Sequence, residues 1–155
     1  MPMRLRDEIK QTKPFASLEH EAHLSIERTA AVLGHRLADA LKAYGVTPTQ
    51  YNALRILRGA GERGLCRNDV RERLIAQVPD VTRLLDRLEE IGLVARERDA
   101  EDRRLVNTRI TRRGLDLLAR LDAPIGALHR EQLGHLGARD LRTLIDLLAR
   151  CRERA

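Results

Sequence analysis

The residues best suited to chemistry in this sequence are arginines concentrated between residues 94 and 113. The stretch holds seven arginines and four acids, namely Arg96, Arg98, Arg103, Arg104, Arg109, Arg112 and Arg113 and Glu97, Asp99, Glu101 and Asp102. The local excess of three positive charges is half of the formal net charge of +6 of the whole chain. A guanidinium group binds phosphate oxygens and base edges through a planar fork of N–H donors, so the stretch suits a nucleic acid partner. It could also be a solvated hairpin whose acids neutralise its arginines.

A helix and a β-hairpin are predicted to position these arginines. Over residues 79–91, apolar residues recur at helical spacing and polar residues fall on the opposite face. The apolar face is Val81, Leu84, Leu85, Leu88 and Ile91, and the polar face is Thr82, Arg83, Asp86, Arg87 and Glu90. The spacing predicts a helix over 79–91 that ends before Gly92, and we expect Asp86 to pair with an arginine. Residues 94–98 and 106–110 break the helical period and predict two strands joined by a charged loop.

The rest of the chain is predicted to be helical, apart from a charged arm over residues 1–13. Apolar residues at three- and four-residue intervals, together with capping residues, delimit five more helices. These helices cover residues 14–44, 47–61, 67–75 and 138–153 and a segment that begins after Thr111. The short helix over 67–75, a turn and the helix over 79–91 have the order of a helix-turn-helix, whose second helix can enter the major groove of DNA.

Composition agrees with a mostly α-helical fold. The apolar residues are nearly all Leu, Ala, Val and Ile, whereas Phe15, Tyr44 and Tyr51 are the only aromatic residues. At helical spacing this composition suits helices better than sheets. A chain of 155 residues has the size of one domain with additional arms. Because neither a signal peptide nor an apolar stretch of membrane length is recognisable, we expect a cytoplasmic protein with no membrane partner.

Three consecutive segments carry motifs in a fixed order. The run from Val81 to Val94 reads VTRLLDRLEEIGLV, residues 98–104 contain the pattern D-x-x-D-R-R, and residues 110–114 read ITRRG. In this order and spacing they resemble the recognition helix, the wing and the start of the following helix in the MarR family of winged-helix regulators. The order of the predicted elements extends the resemblance over residues 14–153.

The resemblance implies a mostly α-helical winged helix-turn-helix with a small β-hairpin wing and long dimerisation helices. It divides the chain into an N-terminal arm and dimerisation helix (1–44), a DNA-binding lobe (45–113) and C-terminal dimerisation helices (114–155). It also implies a homodimeric, sequence-specific regulator of transcription, usually a repressor, that binds an inverted-repeat operator in double-stranded DNA. A small-molecule effector would release such a protein by changing the spacing of its two recognition helices.

Carried onto this sequence, the resemblance assigns DNA contacts to six residues. These are Thr82, Arg83 and Arg87 in the helix and Asp102, Arg103 and Arg104 in the wing. Thr82 and Arg83 match positions that face bases or phosphates, and Arg87 and Arg103 match phosphate contacts. Arg104 matches the wing-tip arginine that enters the minor groove, and Asp102 matches the acid that orients it. An arginine held by a carboxylate has fewer rotamers to lose on binding.

An effector pocket is implied between the long helices and the DNA-binding lobe. Its expected lining is His20, His23, Tyr51 and Leu54, although ordinary packing is the simpler explanation for any single one of them. The three-residue spacing of His20 and His23 could seat a metal, but histidines on an amphipathic helix are more often surface residues, so no metal or other cofactor is predicted. Cys66 could sense oxidants, which needs a lowered thiol pKa, or could simply pack.

Two other functions stay open at this point. A non-specific architectural protein would bind any duplex with similar affinity and a steep salt dependence, whereas a regulator favours one near-palindromic site. A DNA-free dimeric scaffold would tolerate the loss of Arg104. Catalysis is not expected, because the sequence contains no Gly-rich phosphate loop, no nucleophile elbow and no clustered His, Asp and Glu at catalytic spacing.

Overall fold

Seven α-helices and three short β-strands make up the part of the chain that the computed structural model describes, which is Met1 and residues 3–153. The helices are α1 (Leu5–Glu8), α2 (Leu18–Lys42), α3 (Pro48–Ala60), α4 (Arg67–Arg73), α5 (Val81–Glu90), α6 (Arg112–Leu133) and α7 (Gly137–Arg152). The strands are β1 (Leu65–Cys66), β2 (Val94–Arg98) and β3 (Val106–Ile110), which pair antiparallel in the order β1-β3-β2. The predicted fold class and both predicted strands are confirmed. We call β2, β3 and the loop 99–105 between them the wing.

Four helices begin after a residue whose side chain accepts a hydrogen bond from the backbone N–H three residues further on. These capping residues are Ser17, Thr47, Asp80 and Thr111. Such caps satisfy N–H groups that have no acceptor inside the helix, and they fix where each helix starts. For this reason α2 and α5 begin at Leu18 and Val81, a few residues after the predicted starts at Pro14 and Pro79.

Two short elements were not expected from the sequence. Strand β1 places Leu65 opposite Thr108 of β3, so the wing hairpin belongs to a three-stranded sheet. The predicted irregular arm contains the helix α1, in which the Leu5 side chain is buried. The Glu8 carboxylate accepts a hydrogen bond from Arg28 Nε at 3.3 Å, which ties the arm to α2.

The hydrophobic core lies where α3, α5 and α6 meet the end of α2 and the start of β2. Its largest fully buried side chains are Leu41, Leu54, Leu57, Leu85, Leu88, Leu118, Leu121 and Ile125. Of the predicted apolar face of α5, Val81, Leu85 and Leu88 are buried, as expected. Ile91 is 40 % exposed instead, because it lies beyond the end of α5, where Gly92 at φ +77° turns the chain.

The contact between β1 and β3 depends on Gly64. This residue has φ +68°, in the region that favours glycine. A Cβ atom at this position would lie 2.4 Å from the carbonyl oxygen of Thr108. A side chain at residue 64 would therefore push β1 away from the wing.

Apolar residues of α2 and α7 are exposed in the single subunit. On α2, Leu18 is 81 % exposed, and Ile26 and Val32 are also exposed. On α7, Ile145 and Leu147 are exposed, and no residue of this helix is buried among those that the structure describes. The apolar face of α7 was expected to point inward, but Leu144 and Ile145 on that face are exposed in one subunit.

Candidate nucleic-acid interface

Helix α5 presents a polar face on the side opposite the core. Burial of Val81, Leu85 and Leu88 turns Arg83 and Arg87 outward, where both are exposed. The Asp80 carboxylate accepts a hydrogen bond from the backbone N–H of Arg83 at 2.9 Å and so fixes the first turn. Ten residues of helix span about 15 Å. The outer face of α5 is therefore a rigid, capped surface that carries arginines.

The predicted contact residues of α5 differ in their own partners. Thr82 is half-buried, and its Oγ1 accepts a hydrogen bond from Arg67 Nη1 at 3.1 Å. The Arg87 guanidinium pairs with Glu90 one turn further on at 3.4 Å, and both side chains are largely exposed. A surface pair of this kind contributes little to stability and can open when a phosphate competes for the arginine.

Asp99 organises the loop at the tip of the wing. Its Oδ1 accepts hydrogen bonds from the backbone N–H groups of Glu101 at 2.9 Å and Asp102 at 3.0 Å, and its Oδ2 accepts one from the Asn107 side chain at 2.7 Å. The bonds from the backbone N–H groups hold the pKa of the Asp99 carboxyl below its usual range. The sequence interpretation missed this role, although Asp at the first position of a turn is a recognised signal for such bonds.

Asp102 acts on the backbone of the wing-tip arginine. Its Oδ1 accepts a hydrogen bond from the backbone N–H of Arg104 at 3.0 Å. The ion pairs within Met1 and residues 3–153 do not include Asp102 with Arg104. Asp102 therefore orients the chain at Arg104 in this structure, whereas the resemblance assigned it to the arginine itself. Arg103 and Arg104 are both exposed.

A cleft joins α5 to the wing. It has a volume of about 350 Å³ and lies between the starts of α4 and α5 and the strands of the wing. Thr82 and Arg104 both line it, together with Arg67 and Arg96. One predicted contact residue of the helix and one of the wing thus line the same cleft, whereas Arg83, Arg87, Asp102 and Arg103 lie outside it.

Ion pairing divides the arginines of the chain into two groups. Within the part of the chain that the structure describes, the ion-paired arginines are Arg28, Arg36, Arg58, Arg87, Arg96, Arg109 and Arg112. The arginines of α4 and of the wing tip, and Arg83 of α5, are outside this group. The sequence interpretation missed Arg67, Arg71 and Arg73 on α4, where a single inward residue, Val70, leaves three arginines facing outward.

Asp86 pairs with an arginine, as the sequence predicts. The partner is Arg96 on β2, whose Nη2 lies 2.6 Å from Asp86 Oδ1. Arg96 also donates hydrogen bonds to the Glu89 carboxylate, from Nε at 3.0 Å and from Nη2 at 3.3 Å. The bonds from Arg96 lower the pKa of Glu89, and those to Glu89 raise the pKa of Arg96.

The four residues expected in an effector pocket do not meet within one subunit. His20 and His23 lie in the first two turns of α2, whereas Tyr51 and Leu54 are buried in the core with Leu41 near the other end of that helix. His20 and Leu41 are 21 residues apart along α2, which corresponds to a distance of about 30 Å. His20 stands edge-on to the Phe15 ring, and the His23 side chain lies 3.6 Å from that of Glu27. The common pocket is thus absent from the described part of this subunit.

A different cleft lies between α6 and the segments that follow α2 and α5. It measures about 350 Å³ and is lined by apolar side chains such as Leu93 and Leu117, and its polar residues are Tyr44, Arg113, Asp116 and Arg120. The Arg120 guanidinium lies 5.8 Å from the centre of the Tyr44 ring, within the range of a cation–π contact.

Three further features concern metal binding, the cysteines and the membrane. Among Met1 and residues 3–153 no three His, Cys, Asp or Glu side chains are grouped so that they could hold a metal ion. Cys66 is half-buried and Cys151 is exposed, and neither forms a disulfide. No described helix combines the length and apolar character needed to cross a membrane.

Comparison with known proteins identifies relatives of the whole architecture. The sequence model of the MarR family matches residues 44–105, from just after α2 to the end of the loop between β2 and β3. A MarR transcription factor from Planctomyces limnophilus is 39 % identical, with a TM-score of 0.67 over 88 % of this chain and 98 % of that one. The uncharacterized HTH-type transcriptional regulator YdgJ of Bacillus subtilis is 28 % identical over 138 residues, which are 89 % of this chain and 81 % of YdgJ.

Two more distant structures share the fold. MepR of S. aureus, solved as a complex with DNA, is 21 % identical, with a TM-score of 0.78 over 86 % of this chain and 97 % of MepR. PcaV of Streptomyces coelicolor, solved with its natural ligand, is 24 % identical, with a TM-score of 0.72 over 92 % of this chain and 96 % of PcaV.

Proposed function

The chain belongs to the MarR family of transcriptional regulators, and from this premise we propose that it binds a specific inverted-repeat site in double-stranded DNA as a homodimer. Its relatives regulate transcription and are not enzymes. The observation that carries the proposal is that Thr82 of α5 and Arg104 of the wing line the same cleft. Arg104 forms no ion pair with an acid among the described residues.

The proposed contacts follow from the shape of this surface. The major groove of B-DNA is about 12 Å wide and admits a helix. With α5 in that groove, Thr82 and Arg83 face base edges and Arg87 faces a phosphate. The exposed Arg104 then reaches the adjacent minor groove, whose negative potential attracts arginine. Arg103 and the α4 arginines contact phosphates and set the register. MepR, which shares this fold, was solved as a complex with DNA.

A second copy of the chain is the proposed cover for the exposed apolar faces of α2 and α7. Leu18 and Ile26 on α2 and Leu144 and Ile145 on α7 are exposed in one subunit. Several large apolar side chains exposed on the same two helices favour a protein interface there. Two-fold symmetry in the protein would present two α5 helices, and these match two half-sites about one helical turn apart.

We also propose that the protein is a repressor which a small-molecule effector releases from DNA. PcaV, a relative in fold, was solved with its natural ligand. The cleft between the lobe and α6 has a suitable size, since small-molecule sites measure about 300–1,000 Å³. Arg113 and Arg120 outnumber Asp116 at this cleft, and the Asp116 carboxylate is paired with Arg112, so the cleft favours a small carboxylic acid with an apolar body. An occupant there would change the angle between the lobe and α6, and with it the spacing of the two α5 helices.

Selection of binding sites from a random duplex library, with purified protein at physiological salt, tests the proposal. The expected result is an enriched inverted repeat whose half-sites lie about one helical turn apart. Retention of DNA without any enriched motif would identify an architectural DNA-binding protein. If no DNA is retained at all, the protein does not bind DNA and the alternative of a DNA-free dimeric scaffold is favoured. The enriched duplex then serves as the probe for effectors, with release by small aromatic carboxylic acids as the expected response.

A further inference from the structure

Helix α5 carries an unfavourable charge for a helix that enters DNA. Residues 81–90 contain two arginines and three acids, so the helix has a formal charge of −1. Asp86 and Glu89 stand three residues apart and therefore share one side of the helix. Unpaired carboxylates on this helix would repel the phosphate backbone, since like charges brought together across an interface oppose binding.

Arg96 compensates both of these carboxylates at once. Its guanidinium lies 2.6 Å from Asp86 Oδ1 and donates to Glu89 from Nε at 3.0 Å and from Nη2 at 3.3 Å. The Arg96 side chain is 29 % exposed, less than those of the two acids, so it is held between the helix and the sheet. The planar fork of arginine can serve two acceptors in fixed directions, which the point charge of lysine cannot do.

The same side chain connects the two elements that the proposed function assigns to DNA. Arg96 lies in the middle of β2, opposite Thr108 of β3, and therefore belongs to the wing. It also lines the cleft that Thr82 and Arg104 share. A bond from the wing to two successive turns of α5 limits the movement of one element relative to the other.

We propose that Arg96 is a positioning residue for DNA binding, which fixes α5 against the wing and neutralises Asp86 and Glu89 so that the helix can approach phosphates. The role rests on the proposed function, because it concerns the same surface. Arg96 does not need to touch DNA in this account. Its contribution acts through the two carboxylates, and a variant that removes those carboxylates should therefore compensate in part for its loss.

The test measures operator affinity and its salt dependence for three variants and one control. Arg96→Gln exposes both acids and should weaken binding roughly tenfold or more. The triple variant Asp86→Asn, Glu89→Gln, Arg96→Gln removes the repulsion and should regain a large part of that loss. Arg96→Lys should be intermediate. The control Arg139→Gln makes the same charge change at an exposed residue of α7 and should bind like the wild type.

Amide hydrogen exchange in the free protein provides a readout that does not need DNA. Arg96→Gln should speed exchange in α5 and β2 while the exchange of α6 stays unchanged. If Arg96→Gln binds as tightly as the wild type, or if the triple variant binds no better than the single one, the proposed role of Arg96 is wrong. If the wild type selects no DNA site, the proposed function fails, and unchanged exchange in α5 and β2 would then refute the positioning role as well.

Discussion

Replacement of the wing-tip arginine, Arg104→Ala, should weaken operator binding without destabilising the protein. The side chain is exposed, and Arg104 is outside the set of ion-paired arginines among the described residues. Its backbone N–H bond to Asp102 does not depend on the guanidinium and is retained in the variant. Surface substitutions away from special features usually change stability by less than about 0.5 kcal/mol.

The expected loss of affinity follows from one arginine contact in each subunit. Loss of a specific arginine contact costs about 1–3 kcal/mol, which is a factor of roughly 5 to 150 in Kd. A homodimer loses two such contacts, so Kd should rise roughly 25-fold or more if the two wings act independently. Without the positive charge of Arg104, binding also releases fewer counterions from the DNA. The slope of log K against log salt should therefore become shallower by about one unit per wing.

Titration of the selected duplex at several salt concentrations measures both quantities, and thermal unfolding of the same preparations measures stability. Arg139→Ala on α7 is the matched control, because it removes the same charge from an exposed position outside the DNA-binding lobe. Its affinity should stay within a few-fold of the wild type. An Arg104→Ala variant with wild-type affinity and salt slope would refute the assignment of the wing tip to DNA. So would an equal loss in both variants, which would indicate a general charge effect.

Three further predictions concern the elements that hold this surface in place. Leu88→Ala truncates a fully buried side chain and should lower the free energy of unfolding by about 2–5 kcal/mol in urea titrations; a much smaller change would mean that the faces of α5 are misassigned. Gly64→Ala places a Cβ 2.4 Å from the Thr108 carbonyl oxygen, in a backbone conformation with φ +68°, and should destabilise the protein by more than about 1 kcal/mol. The control Gly59→Ala has open space around it and should not destabilise the protein in this way. Equal effects of the two changes in thermal unfolding would contradict this prediction. Asp99→Ala should speed amide exchange at the wing tip and weaken operator binding. Because folding lowers the pKa of Asp99, its contribution to stability is present above the pKa of the unfolded carboxyl and is lost as pH falls through the folded pKa. Wing-tip exchange, corrected for the intrinsic rate, should therefore rise only in acid.

Periodicity in the sequence was enough to predict the faces of α5 and the limits of the wing strands. A helical period fixes which side of α5 carries Leu88 and which carries Thr82. Gly92 ends that helix and Thr111 caps the next one, so the strands must lie between them. Strand β1 could not be predicted in this way, because two residues show no period. What marks this strand is the close approach of Gly64 to Thr108 of β3, a contact that only the folded structure shows.

The partners within the site were harder to predict than its location. The sequence places several acids beside Arg104, but it does not tell which carboxylate reaches which N–H group, so Asp99 was overlooked as the residue that organises the loop. Likewise, His20 and Tyr51 have residue types that suit a pocket, yet residue type carries no information about the length of α2 that separates them. Three arginines surround Val70, the one buried residue of α4, and this pattern could have predicted an outer face of α4 that carries arginines.

The ratio of two dissociation constants tests the central claim most directly. One is measured for the wild-type protein on the selected inverted repeat, and the other on a scrambled duplex of the same length, both at physiological salt. A specific regulator should bind the inverted repeat about a thousand-fold or more tightly. Equal affinity for the two duplexes, with a steep salt dependence for both, would contradict the account and identify a protein that binds DNA without reading its sequence.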